Sequence, residues 1–135
     1  MRNQLLFLFF SVSTLFFISC DKKSGDPFTI NGTITGAENK KIILETMTFP
    51  EAGQPKYTII DTVTADKEGK LTIKNHLPER MTCRLTVAGA DQNYYVVSLQ
   101  NEEMELTANV NEAGNPTITG SPATLSLFGL MKTLR

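Results

Sequence analysis

The 135-residue chain is short of most of the residues that carry chemistry. It has one histidine, His76, and two cysteines, Cys20 and Cys83. It has no excess of either charge, with 13 Lys and Arg against 14 Asp and Glu. A balanced surface gives no electrostatic footprint for nucleic acid and no acidic tail. One histidine without a neighbouring Cys or second His offers neither a metal-ligand set nor a nucleophilic triad. It sits beside Asn75 and Pro78, where it reads as a solvated turn residue. Two cysteines are too few for a disulfide framework, so stability must come from packing. Helical periodicity is missing from Phe28 to Gly120, and beyond the N-terminus no apolar run is long enough to span a bilayer.

What is present begins at the N-terminus. Arg2 precedes a 14-residue apolar stretch, Leu5 to Ile18, which ends in Ser19 and Cys20. That is the layout of a secretory signal, and it is shorter than the roughly 20 residues of a spanning helix. Phe17-Ile18-Ser19-Cys20 is similar to a bacterial lipobox, with Phe17 where Leu is more usual. The expectation is a signal peptide over residues 1–19, cleaved to leave Cys20 as the lipidated first residue. Each buried CH₂ of an acyl chain contributes about 0.8 kcal/mol, and stable anchoring takes more than one chain. Diacylglycerol plus an N-acyl group on Cys20 would meet that condition. Asp21 to Pro27 then reads as a polar tether, so residues 20–27 link anchor to domain. Asp21 is followed by Lys22 and Lys23 rather than by an acidic run. The expected location is therefore the cell envelope, with a lipid anchor in the outer membrane facing the periplasm.

Removing the first 19 of 135 residues leaves 116, with 12 Lys and Arg against the same 14 acids, enough for one small core. From Phe28 the apolar residues alternate. Phe28, Ile30, Gly32 and Ile34 share one face, and Lys40 to Met47 forms a second strand. Phe49 to Pro55 is a breaker-rich loop. Tyr57 to Ala65 is a third strand with Tyr57, Ile59 and Val63 on one face. Asp66-Lys67-Glu68-Gly69 signals a hairpin turn into Leu71 and Ile73. Met81, Cys83, Leu85 and Val87 point inward against Thr82, Arg84 and Thr86. Tyr95, Val97 and Leu99, then Met104, Leu106, Ala108 and Val110, form two further core faces, and Pro116 to Thr119 is a last short strand. The expectation is an all-β domain over residues 28–120, an antiparallel β-sandwich or partly closed barrel of seven to eight short strands. A short helix over 121–135 follows, with Ser121 as N-cap and Pro122 at its first position. Leu125, Phe128, Leu127 and Met131 fall near helical spacing.

Several motifs in this order resemble a known family. They are Phe28-Thr29-Ile30-Asn31-Gly32-Thr33-Ile34, then Ile60-Asp61-Thr62, Asp66-Lys67-Glu68-Gly69-Lys70-Leu71 and Leu77-Pro78. Gln100-Asn101-Glu102-Glu103 and Ile118-Thr119-Gly120-Ser121-Pro122 complete the set. Together with the lipoprotein signal, they resemble the domain of unknown function 4369, a β-rich N-terminal domain of many bacterial lipoproteins. The resemblance covers roughly Phe28 to Phe128. In that family the domain commonly precedes a thioredoxin-like domain of thiol-disulfide oxidoreductases. Such a domain would carry Cys-x-x-Cys, and this sequence has no such spacing. The resemblance therefore transfers no redox residue, and it implies an accessory role without catalysis.

Candidate chemistry elsewhere has a plainer account beside it. Cys83 could be a reactive thiol, but its place on an apolar strand face makes it a small hydrophobe. Asp66 to Gly69 lacks the spaced oxygen ligands of a calcium loop. Nothing in the sequence brings Glu102, Glu103 and Glu105 to Asp91 as a carboxylate pair, and they read as strand-edge charges that discourage edge pairing. Tyr94 and Tyr95 face opposite sides of their strand, so one ring could be offered to a sugar or peptide, or they are simply one core and one surface tyrosine. Asp61-Thr62-Val63 matches an O-glycosylation sequon of some Gram-negative secreted proteins. The expected function is a non-catalytic, membrane-anchored accessory or interaction domain, with a glycan- or peptide-binding module of the envelope as the alternative. No catalytic residue, metal ligand or cofactor is expected. The expected partners are a membrane, through lipid on Cys20, and a protein partner or a homodimer, with no nucleic acid.

Overall fold

Period-two alternation builds eight strands in a computed structural model that describes residues 25–112 and 116–134. The expected signal peptide, the expected lipidation site Cys20 and most of the expected tether lie outside the described residues. In chain order the strands are β1 (Phe28–Thr35), β2 (Lys41–Thr48), β3 (Lys56–Thr64), β4 (Lys70–Asn75), β5 (Met81–Val87), β6 (Tyr94–Leu99), β7 (Glu103–Asn109) and β8 (Thr117–Thr119). Helix α1 (Pro122–Thr133) closes the sequence. The strands form two four-stranded sheets, ordered β4-β1-β7-β8 and β3-β2-β5-β6, and neither closes into a barrel. Their inner faces share one core, in which Phe28, Ile30, Ile34, Leu44, Leu85, Tyr95, Leu99, Met104 and Leu106 are almost wholly removed from water.

Gly32 belongs to the inner face of β1, where it leaves a slot for a neighbour. A Cβ added there would lie 3.1 Å from Leu71 Cγ, so the missing side chain is what lets the β4 leucine fill the core.

Three features depart from the alternation-based reading. First, β1 and β7 run parallel, in register from Thr29 with Glu103 to Thr35 with Asn109. Every other pair is antiparallel. Alternation encodes which face is buried but not which way the neighbour runs. Second, the Asp66 turn forms as expected. Asp66 Oδ1 accepts from the Glu68 and Lys70 N–H groups at 2.8 and 2.9 Å, and Gly69 supplies a φ of +77°. The strands it joins then part, β3 into one sheet and β4 into the other, so the turn links two layers. Third, Tyr57 and Ile59 do not share a face with Val63. The register of β2 with β3 shifts between Leu44 and Glu45, where Ile60 is the extra residue of a bulge. Ile60 and Val63 pack on the core, while Tyr57 and Ile59 face solvent.

The sandwich edges are handled individually. Strand β8 is three residues long, and β4 carries Lys70 and Lys74. Strand β6 is covered by α1. Ser121 caps the helix, Pro122 stands at its start, and the buried Thr124 hydroxyl accepts from the Ser98 N–H at 3.0 Å and donates to the Ser98 carbonyl at 3.2 Å. The helix thereby occupies the free edge positions of Ser98. It turns Thr124 and Phe128 toward the sandwich rather than Leu125 and Met131, which stay exposed.

Candidate binding face on the second sheet

The residues singled out in the sequence scatter over the molecule. Cys20 lies outside the described residues. Cys83 is sealed in the core, and burial pushes its thiol up to about 12, far from any nucleophilic state at neutral pH. His76 is exposed and its Nδ1 lies 2.5 Å from the Gly25 carbonyl, a contact with the segment just before β1. Asp91 is in the turn before β6 and Glu102 in the turn after it, so the length of that strand separates them. Glu103 and Glu105 lie on β7 opposite Thr29 and Asn31.

Glu102 has a structural task instead. Its Oε2 accepts from the Gln100 N–H at 2.7 Å and from Asn101 at 3.1 Å, and Oε1 pairs with Arg80. Partial burial pushes its carboxyl up, but the Gln100 N–H, the Arg80 guanidinium and its own N–H outweigh it and hold it below the usual carboxylate range. Asp61 Oδ1 accepts from the Thr62 N–H at 2.8 Å, and Thr62 is exposed on β3. Among the described residues, no group of three or more His, Cys, Asp or Glu could hold a metal ion.

The two tyrosines divide as alternation requires. Tyr95 is in the core, its hydroxyl donating to the Asn109 carbonyl at 3.0 Å, and Tyr94 is on the outer face of the second sheet. There the structure assembles a constellation that sequence spacing did not disclose. Arg84 on β5 stands opposite Glu45 on β2, and its Nε and one terminal nitrogen donate to Glu45 Oε2 at 2.9 and 2.7 Å. Its guanidinium carbon lies 3.7 Å from the Tyr57 ring centroid and 5.6 Å from that of Tyr94. Rings from the two outer strands of the sheet thus converge on one cation at its centre. Both remain well exposed, Tyr57 at 42% and Tyr94 at 43%.

In the same row as Tyr94 lies Thr86, between Ile43 on β2 and Tyr94 on β6. It is outward-facing yet only 7% exposed, and its hydroxyl oxygen has no hydrogen-bond partner. A buried hydroxyl without a partner costs about 1–3 kcal/mol. Arg84 and Thr86 were legible as outward-facing, whereas Tyr57 was grouped with the inward Val63. The convergence was not legible, because it depends on strand order and on the bulge that turns Tyr57 outward.

Two four-stranded sheets around one shared core place the described residues in the class of β-sandwich modules. The chain is a member of the family described as Domain of unknown function (DUF4369), whose model matches residues 28–125. No curated protein matches it. Among solved structures, similarity was found to the cytotoxin protein suilysin from Streptococcus suis, at 12% identity and a TM-score of 0.32. That match covers 70% of this chain and 22% of suilysin, so the chain spans about a fifth of that protein's length.

Proposed function

We propose that this chain is a non-catalytic accessory domain of a bacterial lipoprotein, held at the outer membrane by lipid on Cys20 and facing the periplasm. It is of the kind that precedes thioredoxin-like disulfide oxidoreductases. The observation that carries the reading is the outer face of the second sheet. Tyr57, Arg84, Glu45 and Tyr94 form a preorganised recognition surface, while the Cys83 thiol is buried and held protonated. Family membership and the Cys20 signal agree with it. The domain contributes contact rather than chemistry, and the tether sets how far from the bilayer that contact is made.

Fractionation tests the anchor. Cys20→Ala moves the protein from the membrane pellet to the soluble fraction. Continued sedimentation of the variant with membranes would sink the anchoring role.

A further inference from the structure

We propose that the outer face of the second sheet binds a saccharide, gripping a flat pyranose chain between Tyr57 and Tyr94 over the Arg84–Glu45 pair. The inference deepens the accessory reading, on which it rests for the idea that this face is used for contact.

Three observations converge on this ligand class. The first is the pairing of ring and edge groups. A pyranose presents an apolar C–H face and a rim of hydroxyls, so it calls for an aromatic surface bordered by acceptors and donors. Tyr57 and Tyr94 supply the aromatic surface, and their phenolic hydroxyls are polar tips at its border. Both Arg84 bonds fall on Glu45 Oε2, which leaves Oε1 as an acceptor. The second is charge. Arg84 and Glu45 neutralise one another, so the centre of the face favours a neutral polyhydroxy ligand over an anion. The third is Thr86. Its hydroxyl lies across from Tyr94 with no partner, and a ligand that shifts the Tyr94 ring gives it a hydroxyl or carbonyl to bond.

Size argues against a protein occupant. The face is four strands wide and three side-chain rows deep, bounded by Tyr57, Ile59 and Thr62 on one side and Val96 and Tyr94 on the other. At about 4.8 Å between strands and about 6.8 Å between side chains of one face, that is about 400 Å². A standard protein interface takes about 800 Å² from each partner.

The test is calorimetric titration of the full chain with cellohexaose and with chitohexaose, two flat β-1,4-linked hexasaccharides. Binding of either in the range of about 1 mM or below is expected. Tighter binding of chitohexaose identifies an N-acetylated glycan, and tighter binding of cellohexaose a neutral glucan. Tyr94→Ala and Thr86→Val each weaken binding by about tenfold. Thr86→Val is close in shape and removes the unpartnered hydroxyl, so it raises Tm while lowering affinity, a split that a folding defect cannot produce. Asn31→Ala, on the opposite sheet, leaves affinity unchanged.

Absence of binding to both sugars at about 1 mM overturns the proposal. So does affinity that survives the Tyr94 and Thr86 substitutions, or a self-association that Tyr94→Ala abolishes in a chain that binds no sugar. These outcomes are independent of Cys20→Ala fractionation, so loss of the ligand and loss of the anchor are told apart.

Discussion

The two outer faces of the sandwich obey the same alternation and yet are built from different chemistry. On the first sheet, Asn31 and Thr33 of β1 lie beside Lys70 and Thr72 of β4 and Glu105 and Thr107 of β7. These are short or flexible polar side chains, with Thr72 Oγ1 donating to Asn31 Oδ1 at 3.1 Å. On the second sheet, the corresponding rows hold Tyr57, Glu45, Arg84 and Tyr94, drawn together and partly shielded, with the buried Thr86 beside Tyr94. Inner faces are constrained by the shared core, so both sheets look alike from within. Outer faces are free of that constraint. One is satisfied by β-favouring threonines that water solvates. The other holds a half-buried ion pair and an orphaned hydroxyl, which folding alone does not require.

The strongest way to break this contrast is across a single peptide bond. Tyr95→Ala should cost about 4 kcal/mol by emptying the core and losing the bond to Asn109, whereas Tyr94→Ala should cost about 1 kcal/mol or less. Urea unfolding measures both, and equal losses would mean that the faces are not distinct. Next comes Arg84→Ala, which leaves Glu45 partly buried without its partner, at about 2 kcal/mol. Asn31→Ala on the first sheet should stay within about 0.5 kcal/mol. A comparable loss at Asn31 would make the second face ordinary.

The smallest effect concerns acid. The Glu102 carboxyl is held below its usual value when folded, so its contribution to stability is fully present above the unfolded value, near 4.5. That contribution fades as pH falls from there through the lower folded value. Glu102→Gln should flatten this part of the Tm against pH curve.

Much of the fold was legible because the inner-face residues of β1, β5, β6 and β7 alternate without interruption. Tyr95, Val97 and Leu99 are a clear case, and Ser121-Pro122 marked the start of α1 just as plainly. The phase of β3 was not legible. Ile59 and Ile60 are adjacent and both apolar, so either could be the inward one, and only pairing with β2 places the bulge. The parallel β1–β7 pair was hidden for a related reason, since no local signal states strand direction. The candidate face joins Glu45, Tyr57, Arg84 and Tyr94 from four strands. Each contributes an unremarkable outward position, and Arg84 meets Tyr57 only because β2 brings β3 and β5 to its two sides.

The place of β1 in its sheet has a mechanical consequence. Strand β1 begins at Phe28 as the first strand of the sandwich and is an interior strand, laddered to β4 on one side and to β7 on the other. A pull on the N-terminal segment along the strand axis therefore loads both ladders at once, in shear. It cannot peel them open one hydrogen bond at a time, as it could if the leading strand lay at an edge. A domain hung by its N-terminus from a moving surface would yield last at the strand from which it hangs.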